Sequence, residues 1–370
     1  MKRDRLYLLL IWLLLGLLMA ALSAWHPTHA TSPDSAHYLR LAMDWRTYNG
    51  IFPPGYSLLI GLISSITSLS GLWASKLVNW LALGFFGWAW AGRVGARSVL
   101  FLLGIWLLPA NLRIATYTWS ETVFIVLLLE AIWWSYRLSI HETRANAFRV
   151  AGLLVALVWV RYVGLFMIVY LMLRRTAVRR TAVRRTAVRR TAVRRTAVRR
   201  TATLYILVYI FGIALLLTAN VALTGYLFGG VRLLPTEPWD ELLRMMAVAV
   251  LNEILLYNYR PGMAVELFGS ALLGQILVLA MLIRYVRRKG VWIASGFTST
   301  PLVHHLFGVG LLYFLTLFML RSISPFDPLN ERLMAPGSVC WLMALVLVGQ
   351  SQHSIISKSP VRAETLTNPS

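Results

Sequence analysis

The sequence predicts an all-α membrane protein, a polytopic helix bundle of about ten spans with a periplasmic juxtamembrane helix after the first span. Three observations support this fold class. The 370-residue chain is 58% hydrophobic and only 14% charged, whereas soluble domains average about 25% charged residues. Long apolar runs recur along the chain. Short loops rich in Lys and Arg separate many of these runs, as in multi-pass membrane proteins.

One repeat dominates the formal net charge of +22. Five copies of the block RRTAV and a sixth Arg pair occupy residues 174–200 and contribute 12 Arg, which leaves +10 for the rest of the chain. That remainder is scattered over short loops, so nucleic-acid binding is not expected. A period of five does not align the Arg pairs on one helix face, so we interpret residues 174–202 as an expanded cytoplasmic loop. Contact with anionic lipid is the functional alternative.

The first apolar run, residues 6–24, follows the basic residues Lys2, Arg3 and Arg5. A cleaved signal peptide is the competing interpretation, but this run is longer than the ~7–15 residues of a signal-peptide core. The run therefore predicts an uncleaved span whose basic N-terminus stays inside the cell. Trp25 then marks the outer surface of the membrane.

The segment after the first span predicts a short helix on the membrane surface. Ser32 and Pro33 form a helix-start pattern, with Ser at the cap and Pro at the first helical position. From Asp34 to about Tyr48 the apolar side chains share one face at helical spacing. An amphipathic helix of this kind lies in the interface and does not cross the membrane.

The remaining spans are expected at the apolar runs 73–91, 98–112, 121–136, 203–222, 267–283, 302–320 and 333–349, with two short segments within 150–173. Residues 55–70 are short and rich in Ser and Gly, so we interpret them as re-entrant or interfacial. One helix over 150–173 is the alternative to the two segments. It would place Arg161 at the bilayer centre, at a cost of ~2.5–3.5 kcal/mol or more, so a hairpin turning at Arg161 is favoured. The membrane domain then covers residues 1–350, and residues 351–370 form a polar cytoplasmic tail.

Charged residues gather at the predicted outer ends of the spans and in the outer loops. They are Asp34, His37, Glu121, Arg161, Arg232, Arg260, Arg321, Asp327, Glu331 and Arg332. Arg is disfavoured outside the cell, so several Arg there indicate an anionic ligand at the outer surface. The sequence has no phosphate-binding glycine loop and no G-x-S-x-G nucleophile turn, so it does not predict a soluble nucleotide-dependent or serine enzyme.

Two acidic residues in this group are candidates for catalysis. Asp34 lies at a helix start, where the helix dipole favours an ionised carboxylate, and such a carboxylate can act as a general base. Asp34 can equally complete a helix cap, and its position alone does not separate the two roles. Glu121 opens a span after Trp119 and Ser120, and it either caps that helix or orients Asp34 or a substrate.

A metal site is not assigned. His26 and His29 have a nonspecific spacing relative to Asp34, and we interpret His304 and His305 as interfacial residues. A divalent cation stays compatible with the carboxylates. No organic cofactor is expected.

Five motifs occur along the chain in an order that resembles a known family. They are Asp34-Ser35-Ala36-His37-Tyr38, Phe52-Pro53-Pro54-Gly55-Tyr56-Ser57-Leu58-Leu59, Ser120-Glu121 with Phe124, Arg161 with Gly164, and Phe326-Asp327-Pro328-Leu329-Asn330-Glu331-Arg332 with Pro336. Together they resemble the integral-membrane glycosyltransferases of the C superfamily. More narrowly, they resemble bacterial relatives of protein O-mannosyltransferases and of the enzymes that add aminoarabinose to lipid A.

The resemblance implies a multi-pass protein of the inner membrane that transfers a sugar from a polyprenyl-phosphate donor on the periplasmic face. The aspartate that matches Asp34 is then the catalytic base. The expected site residues are catalytic Asp34 and Glu121, donor phosphate-binding Arg161, Arg321 and Arg332, and acceptor-binding or orienting His37, Tyr38 and Tyr56. A single displacement would invert the sugar. The acceptor is left open among lipid, glycan and protein.

Two other classes of function remain open at this point. A polysaccharide polymerase or ligase uses the same kind of donor. A lipid or solute transporter also places polar residues inside a helix bundle, but it should show inverted repeats with helices broken near the midplane. No such internal symmetry is visible in the sequence.

Overall fold

The structure, a computed structural model, describes residues 2–26, 28–174, 192–228, 238–255, 280, 284, 301–324 and 329–356. Within these ranges the regular structure is all helical. The helices are α1 (Lys2–Trp25), α2 (Pro33–Met43), α3 (Gly55–Thr67), α4 (Gly71–Val94), α5 (Ala96–Gly104), α6 (Pro109–Thr116), α7 (Glu121–Ile140), α8 (Arg144–Val160), α9 (Tyr162–Arg174), α10 (Ala192–Thr224), α11 (Trp239–Leu255), α12 (Pro301–Ile323) and α13 (Glu331–Ile356).

Within the described part of the chain, five helices are long and apolar enough to cross a membrane. They lie in α1, α7, α10, α12 and α13, and two bent helix pairs raise the number to seven if each pair is one span. The protein is therefore a multi-pass membrane protein, and a total of about ten spans is not confirmed. The span predicted at 267–283 falls outside the described residues except for Ala280.

The span predicted over 98–112 is bent in the structure. Helix α5 ends at Gly104, a short 3-10 turn follows, and α6 begins at Pro109 after a bend of 80°. Proline has no backbone N–H and restricts the preceding residue to extended conformations. Leu108 accordingly adopts φ −61° and ψ 137°, which ends the helix. The helix also continues to Thr116, beyond the end of the run predicted as a span.

Residues 55–70, which we interpreted as re-entrant or interfacial, form a short helix and a sharp bend, and that interpretation stays a prediction. Helix α3 ends at Thr67, Ser68 adopts a left-handed conformation with φ 58°, and α4 begins at Gly71 after a bend of 106°. Helix α2 begins at Pro33 as expected but ends at Met43, and a 3-10 turn follows at Trp45–Thr47. The Asp44 side chain ends α2 early because it accepts a hydrogen bond from the backbone N–H of Arg46.

The hairpin predicted at Arg161 is confirmed. Helix α8 ends at Val160, Arg161 is extended with φ −152° and ψ 131°, and α9 begins at Tyr162. Gly164 makes this turn possible, because a Cβ atom at that position would lie 2.7 Å from the backbone carbon of Leu157. The Arg161 side chain is therefore at the end of two helices and not at the centre of one.

Contacts with α7 show which ends of the helices lie together. Arg161 forms an ion pair with Glu121 at the start of α7, whereas Arg149 stacks on Trp134 near the end of α7, at 4.2 Å. Helix α8 is therefore antiparallel to α7. Similar contacts place Tyr170 of α9 and His305 of α12 close to Tyr136 of α7. We call the two ends of the bundle the Glu121 end and the Tyr136 end.

His305, which we interpreted as an interfacial residue, lies inside the bundle at the Tyr136 end. His305 is buried, and its Nδ1 lies 3.1 Å from the hydroxyl of Tyr170. The apolar surroundings in the sequence did not indicate the tyrosine that makes this burial possible, because that partner comes from α9.

Helices α1 and α4 pack through a reciprocal pair of tryptophans. The rings of Trp12 and Trp80 are stacked with centroids 4.0 Å apart, and each indole N–H donates to the other residue's carbonyl oxygen at 2.9 Å. Gly16 and Gly84 leave room for the rings, since a Cβ atom at either glycine would approach the opposite ring to within 2.7 Å. This contact anchors α1 and hence the start of the segment that carries Asp34.

Two segment boundaries differ from the expectation. Helix α10 begins at Ala192, inside the region 174–202 that we interpreted as a loop, because Ala and Arg are strong helix formers. Helix α13 continues to Ile356 and so includes the first residues of the expected tail 351–370. The other residues of both segments lie outside the described ranges, apart from Arg174 at the end of α9.

The side of the membrane on which each end lies is a testable prediction. The Tyr136 end is next to Arg93, Arg137 and Arg149, so the positive-inside rule places it in the cytoplasm. A reporter fused after Arg144 should therefore be cytoplasmic, and one fused after Tyr48 should be periplasmic. Paired phosphatase and fluorescent-protein fusions measure this, and the same compartment for both positions would contradict the predicted orientation.

Candidate active site

Four charged side chains from distant parts of the chain meet at the Glu121 end. Arg332 donates from Nη2 to Asp34 Oδ2 at 2.5 Å and from Nε to Glu121 Oε1 at 2.5 Å. Arg161 forms an ion pair with the same Glu121 oxygen. We call Asp34, Glu121, Arg161 and Arg332 the charge cluster. It contains two carboxylates and two guanidinium groups, so its formal charge is balanced.

Glu121 holds the cluster together from the first residue of α7. Its side chain is 1% exposed, and its Oε1 is shared by both arginines. Its second oxygen, Oε2, is buried without a hydrogen-bond partner among the described residues. Because a buried charge is stable only when it is paired, removal of Glu121 would leave two guanidinium groups poorly compensated.

Asp34 is the accessible carboxylate of the cluster. Its side chain is 23% exposed, compared with 1% for Glu121. The helix cap of α2 is Ser32, whose backbone N–H donates to Ser35 Oγ at 3.0 Å. The Asp34 carboxylate points instead towards Arg332. A molecule that approaches the membrane surface therefore meets Asp34 before it meets Glu121.

The segment that precedes Asp34 is held in a fixed position. His29 and Ala30 adopt left-handed φ angles of 49° and 52°, which are uncommon for residues other than glycine. The Ala30 carbonyl oxygen accepts hydrogen bonds from Lys76 Nζ at 2.9 Å and from the backbone N–H of Thr118 at 3.2 Å. Ser35 Oγ also donates to the Thr118 carbonyl oxygen, at 3.0 Å. These bonds connect the start of α2 to the segment before α7.

Arg332 is also fixed by an aromatic ring. Its guanidinium carbon lies 4.7 Å from the centroid of Trp119, and Trp119 Nε1 donates to Ser32 Oγ at 2.8 Å. A guanidinium group favours such a stacked position over an aromatic ring. Trp119 therefore links Arg332 to the cap of the helix that carries Asp34.

The three residues expected to contact or orient an acceptor occupy different positions. Tyr38 is buried and its hydroxyl lies 2.9 Å from Ser120 Oγ, which also accepts from Arg161 Nη1 at 3.4 Å. Burial raises the pKa of Tyr38 to about 12, so it remains a hydroxyl at neutral pH. Tyr56 is fully buried and donates to Asn79 Oδ1 at 3.2 Å. His37 is half-buried beside the ring of Phe52, at 5.8 Å between centroids. Of the three, His37 is thus the one that a ligand can reach.

Arg321 has a less defined relation to the cluster. It lies in the last turn of α12 and is buried. The antiparallel packing of α12 against α7 places this turn at the Glu121 end. Its role in phosphate binding therefore stays a prediction, separate from the contacts of Arg161 and Arg332.

Sequence reasoning missed Lys76, Thr118 and the role of Trp119. Lys76 was detectable, because it is a charged residue within an apolar run and a lone charge in a span is expensive. Its partners are a backbone carbonyl and a threonine hydroxyl, and no sequence pattern indicates such partners. Within the described ranges, no group of three or more His, Cys, Asp or Glu side chains is arranged to hold a metal ion.

Comparisons with protein-family models, with curated proteins and with solved structures gave no match. The functional argument for this chain therefore depends on the geometry and the charges of the Glu121 end.

Proposed function

We propose that this protein transfers a sugar from a polyprenyl-phosphate donor to an acceptor at the outer face of the inner membrane, with Asp34 as the base. The observation that supports the proposal is that Arg332 contacts both Asp34 and Glu121 at one end of a membrane helix bundle. Two guanidinium groups in this position match the phosphate of a lipid-linked substrate. One accessible carboxylate beside them matches the proton acceptor that the reaction needs.

The donor phosphate would bind to Arg332 and Arg161. Arg332 is paired with Asp34 before the donor arrives, so the phosphate competes with Asp34 for the same N–H groups. Donor binding then weakens the ion pair between Arg332 and Asp34, which makes the Asp34 carboxylate a better base. Glu121 stays bound to both arginines and keeps their N–H groups directed at the phosphate.

The proposed reaction balances in atoms and charge. The acceptor oxygen attacks the anomeric carbon, and Asp34 takes the acceptor proton. The bond between the anomeric carbon and the phosphate oxygen breaks, so the phosphodiester, with charge −1, leaves as a phosphomonoester with charge −2. One negative charge thus moves from Asp34 to the phosphate. Arg332 can stabilise this charge in either position, because its guanidinium group lies within reach of both. Stabilisation of the charge that develops on the leaving group is commonly the largest catalytic contribution.

The test is a transfer assay with the full-length protein in lipid nanodiscs. The donors are radiolabelled sugars on polyprenyl phosphate, and the matched controls are the same sugars as nucleotide diphosphates. We expect label to leave only the lipid-linked donors, with release of polyprenyl phosphate. Turnover of nucleotide sugars, or no turnover of any lipid-linked sugar with a lipid extract as acceptor, would contradict the proposal.

A further inference from the structure

A small polar pocket lies between α2, the loop that follows it and the start of α3, close to the charge cluster. Its volume is about 70 Å³, and its wall includes His37, Arg40, Thr47, Tyr48 and Asn49. One water needs ~10–15 Å³ of such space, so a single phosphate or carboxylate group fits, whereas a disaccharide does not. The transfer reaction described above leaves this pocket unused.

The free hydrogen-bonding groups of the pocket are mainly donors. Arg40 donates from Nε to the Ala36 carbonyl oxygen at 3.4 Å. Its terminal N–H groups have no partner among the described residues. Asn49 uses its oxygen to accept from Ile51 N at 3.1 Å, which leaves its NH2 group to donate. The imidazole of His37 adds a further N–H. No carboxylate is among the described residues that line the pocket. A pocket with donors, a positive charge and no carboxylate is suited to an anion.

The wall of the pocket is rigid on its inner side. Tyr48 is buried, and its hydroxyl donates to Asn220 Oδ1 of α10. Burial raises the pKa of Tyr48 above its usual value, so the hydroxyl stays protonated. Asn220 in turn donates to Tyr162 OH at 2.9 Å, and Tyr162 OH donates to the Gly50 carbonyl oxygen at 2.7 Å. This network fixes the loop after α2 against α9 and α10.

The pocket is one helical turn away from the proposed base. His37 follows Asp34 by three residues in α2, and side chains at this spacing are neighbours, with about 5–6 Å between their Cβ atoms. An acceptor whose anionic group is held by Arg40 and His37 would therefore have a hydroxyl two or three bonds away near the Asp34 carboxylate. The outer position of Arg40, which the positive-inside rule disfavours, then has a physical reason.

We propose that this pocket binds the anionic group, a phosphate or a carboxylate, of the acceptor. The proposal rests on the proposed function for its biological meaning, since it names the chemistry of the acceptor. The anion can belong to a lipid headgroup or to a soluble molecule, and both present the same oxygen acceptors. Binding is a property of the pocket alone and needs neither donor nor turnover.

The experiment measures binding of radiolabelled glycerol phosphate to the full-length protein in phosphatidylcholine nanodiscs by equilibrium dialysis. We expect saturable binding in the wild type. In Arg40→Gln the affinity should fall by ~10-fold or more, because one charge-assisted hydrogen bond is lost. Arg46→Gln is the matched control, because Arg46 carries the same charge, is exposed and does not line the pocket. It should bind like the wild type. Uncharged glycerol should not compete.

Two further arms identify the source of the anion and separate this proposal from the transfer reaction. Competition by nanodiscs that contain phosphatidylglycerol would assign the pocket to a lipid headgroup, and its absence to a soluble anion. Asp34→Asn should still bind the label. Binding without any sugar transfer would support the pocket and contradict the proposed function. The proposal that the pocket binds an anion would be overturned by equal binding in Arg40→Gln and Arg46→Gln. The absence of saturable binding in either kind of nanodisc would also overturn it.

Discussion

Asp34→Asn is expected to lower the rate of sugar transfer by about 10²–10⁴-fold, which is the usual contribution of a general base. Asn has nearly the same shape as Asp, and its oxygen can still accept a hydrogen bond from Arg332. It cannot accept the proton of the acceptor. Donor binding should therefore be retained or become tighter, because Arg332 no longer has an anionic partner in Asp34. The measurements are the initial rate at saturating donor and the apparent Kd for polyprenyl phosphate.

The matched control for this change is Asp44→Asn. Asp44 belongs to the same outer segment and caps the 3-10 turn at Trp45–Thr47, where its carboxylate accepts from Arg46 N at 3.0 Å. Asn caps such a turn about as well as Asp, because its oxygen can accept the same hydrogen bond, so this change should leave both the stability and the rate of transfer nearly unchanged. Asp34→Asn with the rate of the wild type would contradict the assignment of the base and leave Asp34 with a structural role.

Arg332→Gln is expected to weaken donor binding and to lower the rate of transfer by about 10²–10³-fold, by analogy with the loss of one group that stabilises developing negative charge. It also leaves Asp34 and Glu121 without a shared partner. Breaking one side of a buried ion pair costs about 3–5 kcal/mol, so a lower Tm is expected as well. Arg332→Lys should restore little, because an ammonium group cannot reach both carboxylates in the planar arrangement of a guanidinium.

A variant at the opposite end of the bundle separates stability from function. Arg93 and Glu130 form a bidentate pair, with distances of 2.5 and 2.6 Å, at the Tyr136 end. Arg93→Gln breaks a buried Arg–carboxylate pair of the same kind and should lower Tm by a comparable amount. Its rate per folded molecule should stay within a few-fold of the wild type. Equal losses of rate in Arg93→Gln and Arg332→Gln would mean that Arg332 acts through stability alone.

The sequence predicted those parts of the fold that local chemistry decides. The start of α2 follows from Ser32 and Pro33, and the turn at Arg161 follows from the cost of a charge in the bilayer. The bend at Pro109 has an equally local cause, but the apolar character of the run 98–112 concealed it. In that case hydropathy was given more weight than the backbone restriction that proline imposes.

The sequence did not predict which charged residues pair within the charge cluster. The outer charges were identified as a group because each lies at the predicted outer end of a span. Which carboxylate meets which guanidinium depends on the packing of α7, α8 and α13, since Glu121 and Arg332 are 211 residues apart. The pocket beside His37 was also beyond sequence reasoning, because the 3-10 turn at Trp45–Thr47 and the anchor at Asn220 shape it.

Arg332 lies on the last described helix, and this has a consequence for biogenesis. The ribosome completes Asp34, Glu121 and Arg161 long before it reaches Arg332. At about 5–20 residues per second, roughly ten to thirty seconds separate the synthesis of Arg161 and Arg332. During that interval Glu121 has Arg161 as a cationic partner, whereas the partner that Asp34 has in the folded protein is still to be synthesised. Arrival of α13 supplies Arg332, so it completes the charge cluster and neutralises both carboxylates as the bundle closes.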